Sequence, residues 1–516
     1  MGITRRKLFN YLIPSSIVAL IAPKKSFSNI ETDTVNSSRC QGLNTKFENS
    51  LQKIDSRLDG LEKRVFKSDF NKPSKFNIPS DYLDLQEAID DLYAKTLSNK
   101  EYVVLNIEAG YKLSSGLKVE HGDFSRFYIQ SEEPIVEVAD NFVGVFGPDG
   151  IKTITDGTVI LAYHARGPVL GCIIDGRHIA RTLYFALGGS TGWSDRLQSS
   201  TEEKANKEKI SGGMNFLHAT FLAQEGSVLV CENTLAINCH LNSIYCERNS
   251  IIHAEFSDVS NSRQGGVVVT RGGVVNADSV NANGCTVGFW AHREGVISAS
   301  DSHANNCKGN GYRADTGGRI NAHNSSASNT TNSVIENWDF GGVGYLAFRG
   351  GEIICTGKSK AVNCVYGLMA IYGAKIVAFQ ITARNCTTNA ILAKDGSQIE
   401  ATEAIISDTH LIAVHALDGS SVTLRGAKID NSGVYAIFSE YGSHISAREI
   451  QIKSAGDACV YSKSGSKIDI NNAKIIGGRF FDLQINEGGC ITANKSTYKN
   501  ANNEVNMITD DGVIYK

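Results

Sequence analysis

The sequence predicts an all-β fold, a right-handed single-stranded parallel β-helix with rungs of ~23 residues. Three observations carry that reading. From residue 226 a pattern Gly-small-x-Ile/Val-x-Ala/Ile returns thirteen times, opening at 226, 249, 272, 294, 317, 350, 373, 396, 419, 442, 465, 488 and 511. Each period holds about three short alternating stretches, too short for helices, separated by Gly, Asn or Ser. The 516 residues include 50 Gly but only 7 Pro, which suits many tight turns and few flexible linkers.

The steps between copies are 23, 23, 22, 23, 33 and then 23 throughout, a constancy that means stacked solenoid units. Leucine-rich repeats share the period, but their LxxLxL framework is missing. With the opening residue as position 0, positions 3 and 5 (Ile/Val and Ala) point inward and positions 2, 4 and 6 point outward. Position 12 is often Asn (Asn238, Asn261, Asn306, Asn329, Asn385, Asn431), as a ladder of stacked turns requires. Cysteines follow at Cys239, Cys285, Cys307, Cys364 and Cys386, and read as a buried stack of small apolar groups rather than bridges.

The regular repeats therefore occupy residues 226–516, preceded by a less regular β-helical region with loops at 96–225. Ahead of it, 71–95 reads as a linker with two prolines (71–79) and a capping helix at 81–94 with Ser80 or Asp81 as its cap. Leu51, Ile54, Leu58, Leu61 and Val65, at 3-4-3-4 spacing, make a short coiled-coil neck within 40–70. Residues 1–28 form a leader: Arg5 and Arg6 before a short apolar stretch read either as a twin-arginine export signal or as a docking segment. Four residues before each rung runs a largely apolar outward column, from Tyr245, Val268 and Trp290 to Leu346, Met369, Phe438 and Tyr461. Such a patch asks for cover, and with the neck it predicts a parallel homotrimer.

Charged residues at 20% and a net charge of -3 exclude a disordered chain and a basic nucleic-acid binder. No apolar run reaches the length of a membrane span. No P-loop, dinucleotide fingerprint, HExxH or CxxC zinc pattern occurs, so neither a cofactor nor a metal is indicated.

Two columns carry the chemistry. Arg248, Arg271 and Arg293 immediately precede successive rungs, with Arg349 in register further along. Stacked cations repel unless an anion runs beside them, and an acidic polysaccharide would place a carboxylate on each fork. The competing reading is local pairing with Glu247, Glu294 or Asp315. At position 6, Glu232, Glu255 and Asp278 stack on consecutive rungs beside His253. Carboxylates at that spacing suit the acid and nucleophile of a retaining glycosidase, while His253 would suit proton abstraction next to a sugar carboxylate. Solvated or subunit-pairing acids are the competing reading. The 33-residue step adds a loop around Trp338, flanked by Glu336 and Asp339, that reads as a sugar platform or as a cover over the rung. A second loop, 188–213, is rich in Lys and Glu.

Residues 79 to about 240 contain DLQEAIDDL, VVLNIEAGYKLSSGLKVEHGDFSRFYIQSEE, AYHARGPVLGCIIDGR and ALGGSTGW in that order. This block resembles bacteriophage tailspike depolymerases with a pectate-lyase-like β-helix, particularly the heparosan-lyase type. The resemblance implies a helix capping the solenoid, a trimer on a virion tail or baseplate, and degradation of capsule or exopolysaccharide by β-elimination. It transfers no catalytic residue, and His121, Asp123, Tyr163, His164, Arg166, Asp175 and Arg177 stand as polar members of the block. The leader departs from a virion-binding head and leaves export from a bacterial cell as the alternative setting. A hydrolase on the same scaffold and a non-catalytic glycan-binding spike are the rival functions.

Overall fold

A computed structural model describes residues 73–99, 102–145, 157–194, 211–332, 341–499, 506–508 and 512–515. The leader, the neck, most of the 188–213 loop and Trp338 lie outside the described residues. What the 23-residue period encodes is three short strands per turn, each pairing in parallel with its equivalent one turn on. Val228–Val230, Leu235–Ile237 and Asn242–Cys246 make one rung, and Ile251–His253 begins the next. Stacking produces a first sheet of 18 strands and a second of 16. The third face has sections of five and eight strands, joined by single bridges from Leu235 through Asp258, Asn281 and His303 to Ser326.

The inward positions match the sequence pattern. Leu229, Ile252, Val275 and Ile297 stack at position 3, Cys231, Ala254, Ala277 and Ala299 at position 5, and all are buried. Small residues there let the corner tighten while the β-branched column fills the interior. Phe289, Tyr312 and Tyr345 add a ring stack inside the solenoid, with centroids 4.9 Å apart at both steps. The hydroxyl of Tyr312 donates to Ser302 O (2.9 Å), so burying it leaves no orphaned polar group. The position-12 asparagines hold left-handed backbone (Asn238 φ 58°, Asn306 φ 57°), which Asn tolerates better than most residues. With Asn363 at the same turn, their amides form a ladder: Asn329 donates to Asn306, Asn363 to Asn329 and Asn385 to Asn363, at 2.8–3.0 Å. Cys239, Cys285, Cys307, Cys364 and Cys386 are buried free thiols. Burial pushes the Cys285 thiol up to about 12.

Two expectations change. Ser74–Ile78 is a strand paired with Val103–Ile107 and belongs to the solenoid rather than to a linker. Its prolines fall outside the paired segment, where no ladder hydrogen bond is lost. The helix, α1, spans Leu85–Asn99 and starts later than predicted. Asp84 caps it, its Oδ1 accepting from Glu87 N at 2.9 Å, because Asp81 is engaged with Asn77 N at 2.7 Å. Leu85, Ala88, Ile89 and Leu92 are its buried face. Among the described residues no helix is long and apolar enough to cross a membrane.

The outward column of the second sheet is another difference. Leu346, Met369, Leu392, Phe438 and Tyr461 are buried within this one chain, several of them in a local apolar cluster with Val343, Phe348 and Ile371. Bare exposure of this column therefore gives no reason for a trimer.

Candidate functional site

Where the second sheet turns into the first, the regular rungs use two successive left-handed residues. Examples are Arg248 and Asn249 (φ 54° and 59°), Arg271 and Gly272 (51° and 73°), and Arg293 and Glu294 (45° and 65°). Ladder hydrogen bonds from Gly226 N to Arg248 O and from Asn249 N to Arg271 O hold these turns in register. The first residue of each turn forms a column along the solenoid: His121, His164, Gly188, Glu225, Arg248, Arg271, Arg293, Thr316 and Arg349. Beyond it the column turns acidic, at Asp395 and Asp418. The cations are thus confined to one stretch of one corner.

Local pairing accounts for part of this charge. Arg248 Nη1 lies 2.9 Å from Glu225 Oε1, and Arg271 Nη1 lies 3.3 Å from Glu247 Oε2. Glu247 is buried and also accepts from Gln224 Nε2 (2.7 Å) and Tyr245 Oη (3.3 Å). Burial, and then the Glu247 charge, push the Tyr245 phenol up to about 12, so it stays protonated. Arg271 and Arg293 remain exposed.

Next to this corner the second sheet presents a group that the sequence pattern did not single out. In-register pairing sets His292 beside Asp315, and Trp290 beside Arg313, on adjacent strands Val287–His292 and Asn310–Asp315. Asp315 is 4% exposed and accepts from Trp290 Nε1 (3.0 Å), Arg313 Nε (2.9 Å) and His292 Nδ1. Burial would raise its carboxyl, but the His292 hydrogen bond and the Arg313 charge outweigh that and hold it below the usual range. A carboxylate on Nδ1 fixes that proton and leaves Nε2 of the partly exposed His292 as the basic nitrogen. Arg293 follows His292 directly, and Arg271 lies one rung away on the same corner. A base and two exposed guanidinium groups therefore share one edge.

The position-6 column lies at the other end of the first-sheet strands. Ladder bonds from Asn233 N to Glu255 O and from Phe256 N to Asp278 O stack Glu232, Glu255 and Asp278 on consecutive rungs. His253 (4% exposed), Glu232 (7%) and Glu255 (5%) are buried rather than solvated. The Asn276 amide nitrogen lies 3.0 Å from His253 Nδ1. Asp278 accepts from Ser298 Oγ (2.7 Å) and Ser300 N (2.9 Å). A three-residue strand, roughly 10 Å, lies between this column and the arginines, so the two do not meet on one sugar.

Near the start of the solenoid, His121, Tyr163 and His164 pack together, and Arg166 pairs with Asp123 at 3.1 Å. Arg177 instead reaches Asp140 (2.8 Å) and, with Asp175 holding its backbone nitrogen, belongs to the framework. Among the described residues no three His, Cys, Asp or Glu side chains converge as a metal site.

No family model and no curated protein matches the chain. Several solved structures align with the chain at low identity. The catalytic unit of a GH87 α-1,3-glucanase from Streptomyces thermodiastaticus aligns with TM-score 0.30 and 10% identity, covering 83% of this chain and 66% of that one. The A-module of mannuronan C-5 epimerase AlgE6 from Azotobacter vinelandii aligns with TM-score 0.25 and 12% identity, covering 84% and 94%. The PL6-family alginate lyase AlyGC aligns with TM-score 0.22 and 7% identity, covering 82% and 99%. These superpositions are too loose to transfer a residue or an activity, and the parallel β-helix stands on its own strand register.

Proposed function

We propose that the protein binds an acidic polysaccharide along the arginine corner and cleaves it by β-elimination at His292. The observation that carries this reading is the juxtaposition of an Asp315-oriented imidazole with Arg271 and Arg293 on one exposed edge. The guanidinium forks neutralise a uronate carboxylate, which acidifies the neighbouring C5–H. Nε2 of His292 takes that proton, the electron pair forms the C4–C5 double bond, and the C4–O bond breaks. The departing oxygen leaves as a hydroxyl after receiving a proton from the imidazolium or from water. Asp315 supports the cation that forms on His292 in the same way that it orients the neutral ring. The position-6 carboxylates favour the hydrolytic alternative less: Glu232 and Glu255 are buried, and half-buried Asp278 is tied up by Ser298 Oγ and Ser300 N, whereas a nucleophile must reach the sugar.

The setting proposed is that of a trimeric spike on a phage tail acting on bacterial capsule, supported by the apolar seam at Leu51–Val65 and the resemblance of residues 79 to about 240. Analytical ultracentrifugation of the full chain tests this, and a monomer at micromolar concentration removes the spike.

The activity is tested by incubating the protein with a panel of acidic capsular polysaccharides while following viscosity and the ultraviolet absorbance of unsaturated uronate. Both signals change if the reading is right. Falling viscosity without absorbance means hydrolysis, and tight binding without either change means a glycan-binding spike.

A further inference from the structure

We infer that the first rungs carry a second anionic-sugar subsite, built from Arg166, Trp193, Tyr163 and the His121–His164 pair, that takes the distal part of the same chain. This inference rests on the functional reading above. His121 and His164 occupy the corner column that later holds the arginines, and their rings stack 5.5 Å apart at an interplanar angle of 13°. Tyr163 packs on His164 at 4.2 Å. On the first-sheet side of the corner, the Arg166 guanidinium lies 5.7 Å over the Trp193 ring and 3.1 Å from Asp123. His121, His164 and Arg166 are exposed, while Tyr163 and Trp193 are half-buried, so the group offers aromatic faces beside a cation. Apolar ring faces with a positioned charge are what an acidic sugar requires of a protein surface.

The shape is built by glycine. On the next rung the column holds Gly188 and Gly189, both left-handed, where the arginine rungs carry side chains. A Cβ at Gly188 would lie 2.8 Å from Cε1 of His164, and nothing lies within 4 Å of one at Gly189. The His164 ring therefore rests across the Gly188 turn, and the next residue of the column, Glu225, is paired with Arg248 before the arginine rungs begin. Arg166 pairs through Thr191, Val228 and Ile251 to Val274, whose rung begins at the Arg271 turn. Four rung spacings of about 4.8 Å separate the two subsites by about 19 Å along the axis. A polymer lying along the corner meets both, and the two contacts add as linked sites rather than independent ones.

The test measures affinity of the full chain for length-graded oligomers of alginate, polygalacturonate and hyaluronan, in wild type and in Arg166→Ala, His164→Ala and Arg271→Ala, with thermal unfolding recorded for each. In the wild type, affinity for the recognised oligomer rises at least threefold once the chain exceeds the roughly 19 Å span. Arg166→Ala and His164→Ala abolish that rise, whereas Arg271→Ala weakens oligomers of every length. A length-dependent rise that survives both Arg166→Ala and His164→Ala, with Arg271→Ala still weakening binding, overturns the second subsite and spares the functional reading. Wild-type protein that binds none of the oligomers overturns both. Should Arg166→Ala unfold early, His164→Ala decides, because its side chain is exposed and its loss opens no cavity.

Discussion

Replacing Asp315 by Asn keeps the shape of the second-sheet edge and removes one buried charge. Three donors then face a neutral amide: Trp290 Nε1, His292 Nδ1 and Arg313 Nε. Removing one partner of a buried ion pair costs about 3–5 kcal/mol, because the other charge stays behind. The Arg313 side chain is 13% exposed and lies 5.3 Å from the Trp290 ring centroid, which softens that loss. The expected destabilisation is thus about 3 kcal/mol at neutral pH, from the lower end of that range. Its pH dependence is a sharper test than its size. The folded-state carboxyl is depressed, so its stabilisation is full above the unfolded-state value of about 4 and is lost as pH falls through the folded-state value. The assay is urea unfolding followed by Trp290 fluorescence, with Trp193 and Trp338 changed to Phe, since a solenoid unfolds as coupled rungs and a local reporter is needed. A wild-type advantage that stays constant from neutrality into strong acid would refute the role given to Asp315.

Further outcomes follow from other parts of the solenoid. Ile376→Ala removes a fully buried member of the position-3 column and lowers unfolding stability by about 2–5 kcal/mol, measured by chemical denaturation. The buried thiols, including Cys285 at about 12, stay unreacted with a thiol reagent in the native protein at mild alkalinity and react on unfolding; rapid native labelling of Cys285 would contradict the stack. His415, half-buried against Phe438 and pushed down to about 4 by desolvation, makes the protein less stable as pH falls from about 6.5. In thermal melts His415→Phe removes that slope, even though Glu440, raised by burial, contributes with the opposite sign.

The architecture was legible because every rung repeats the same steric demands. One inward β-branched residue, one small corner residue and one left-handed asparagine recur at a fixed spacing, as Ile252, Ala254 and Asn261 illustrate, and repetition raises a weak local signal above noise. The arginine corner was legible for the same reason. The Asp315 cluster was not. His292 and Asp315 sit immediately before the corner on outward strand positions, where neighbouring rungs carry Glu247, Thr270 and Phe348 and so show no period. Only in-register pairing brings His292 to Asp315 and Trp290 to Arg313. The signal available is Trp290, which stands in the outward column among its apolar members. The first strand reads as a linker because Pro73 and Pro79 bracket it, and bracketing prolines also mark linkers.

The account turns on where the sugar lies, and a structure of the His292→Ala protein soaked with a uronate oligomer that the wild type degrades tests it most directly. It predicts density along the corner, with a carboxylate on the Arg271 and Arg293 forks and a C5–H directed at the vacated imidazole position. Density across the first sheet against His253 and Glu255, with the arginine corner bare, would contradict it.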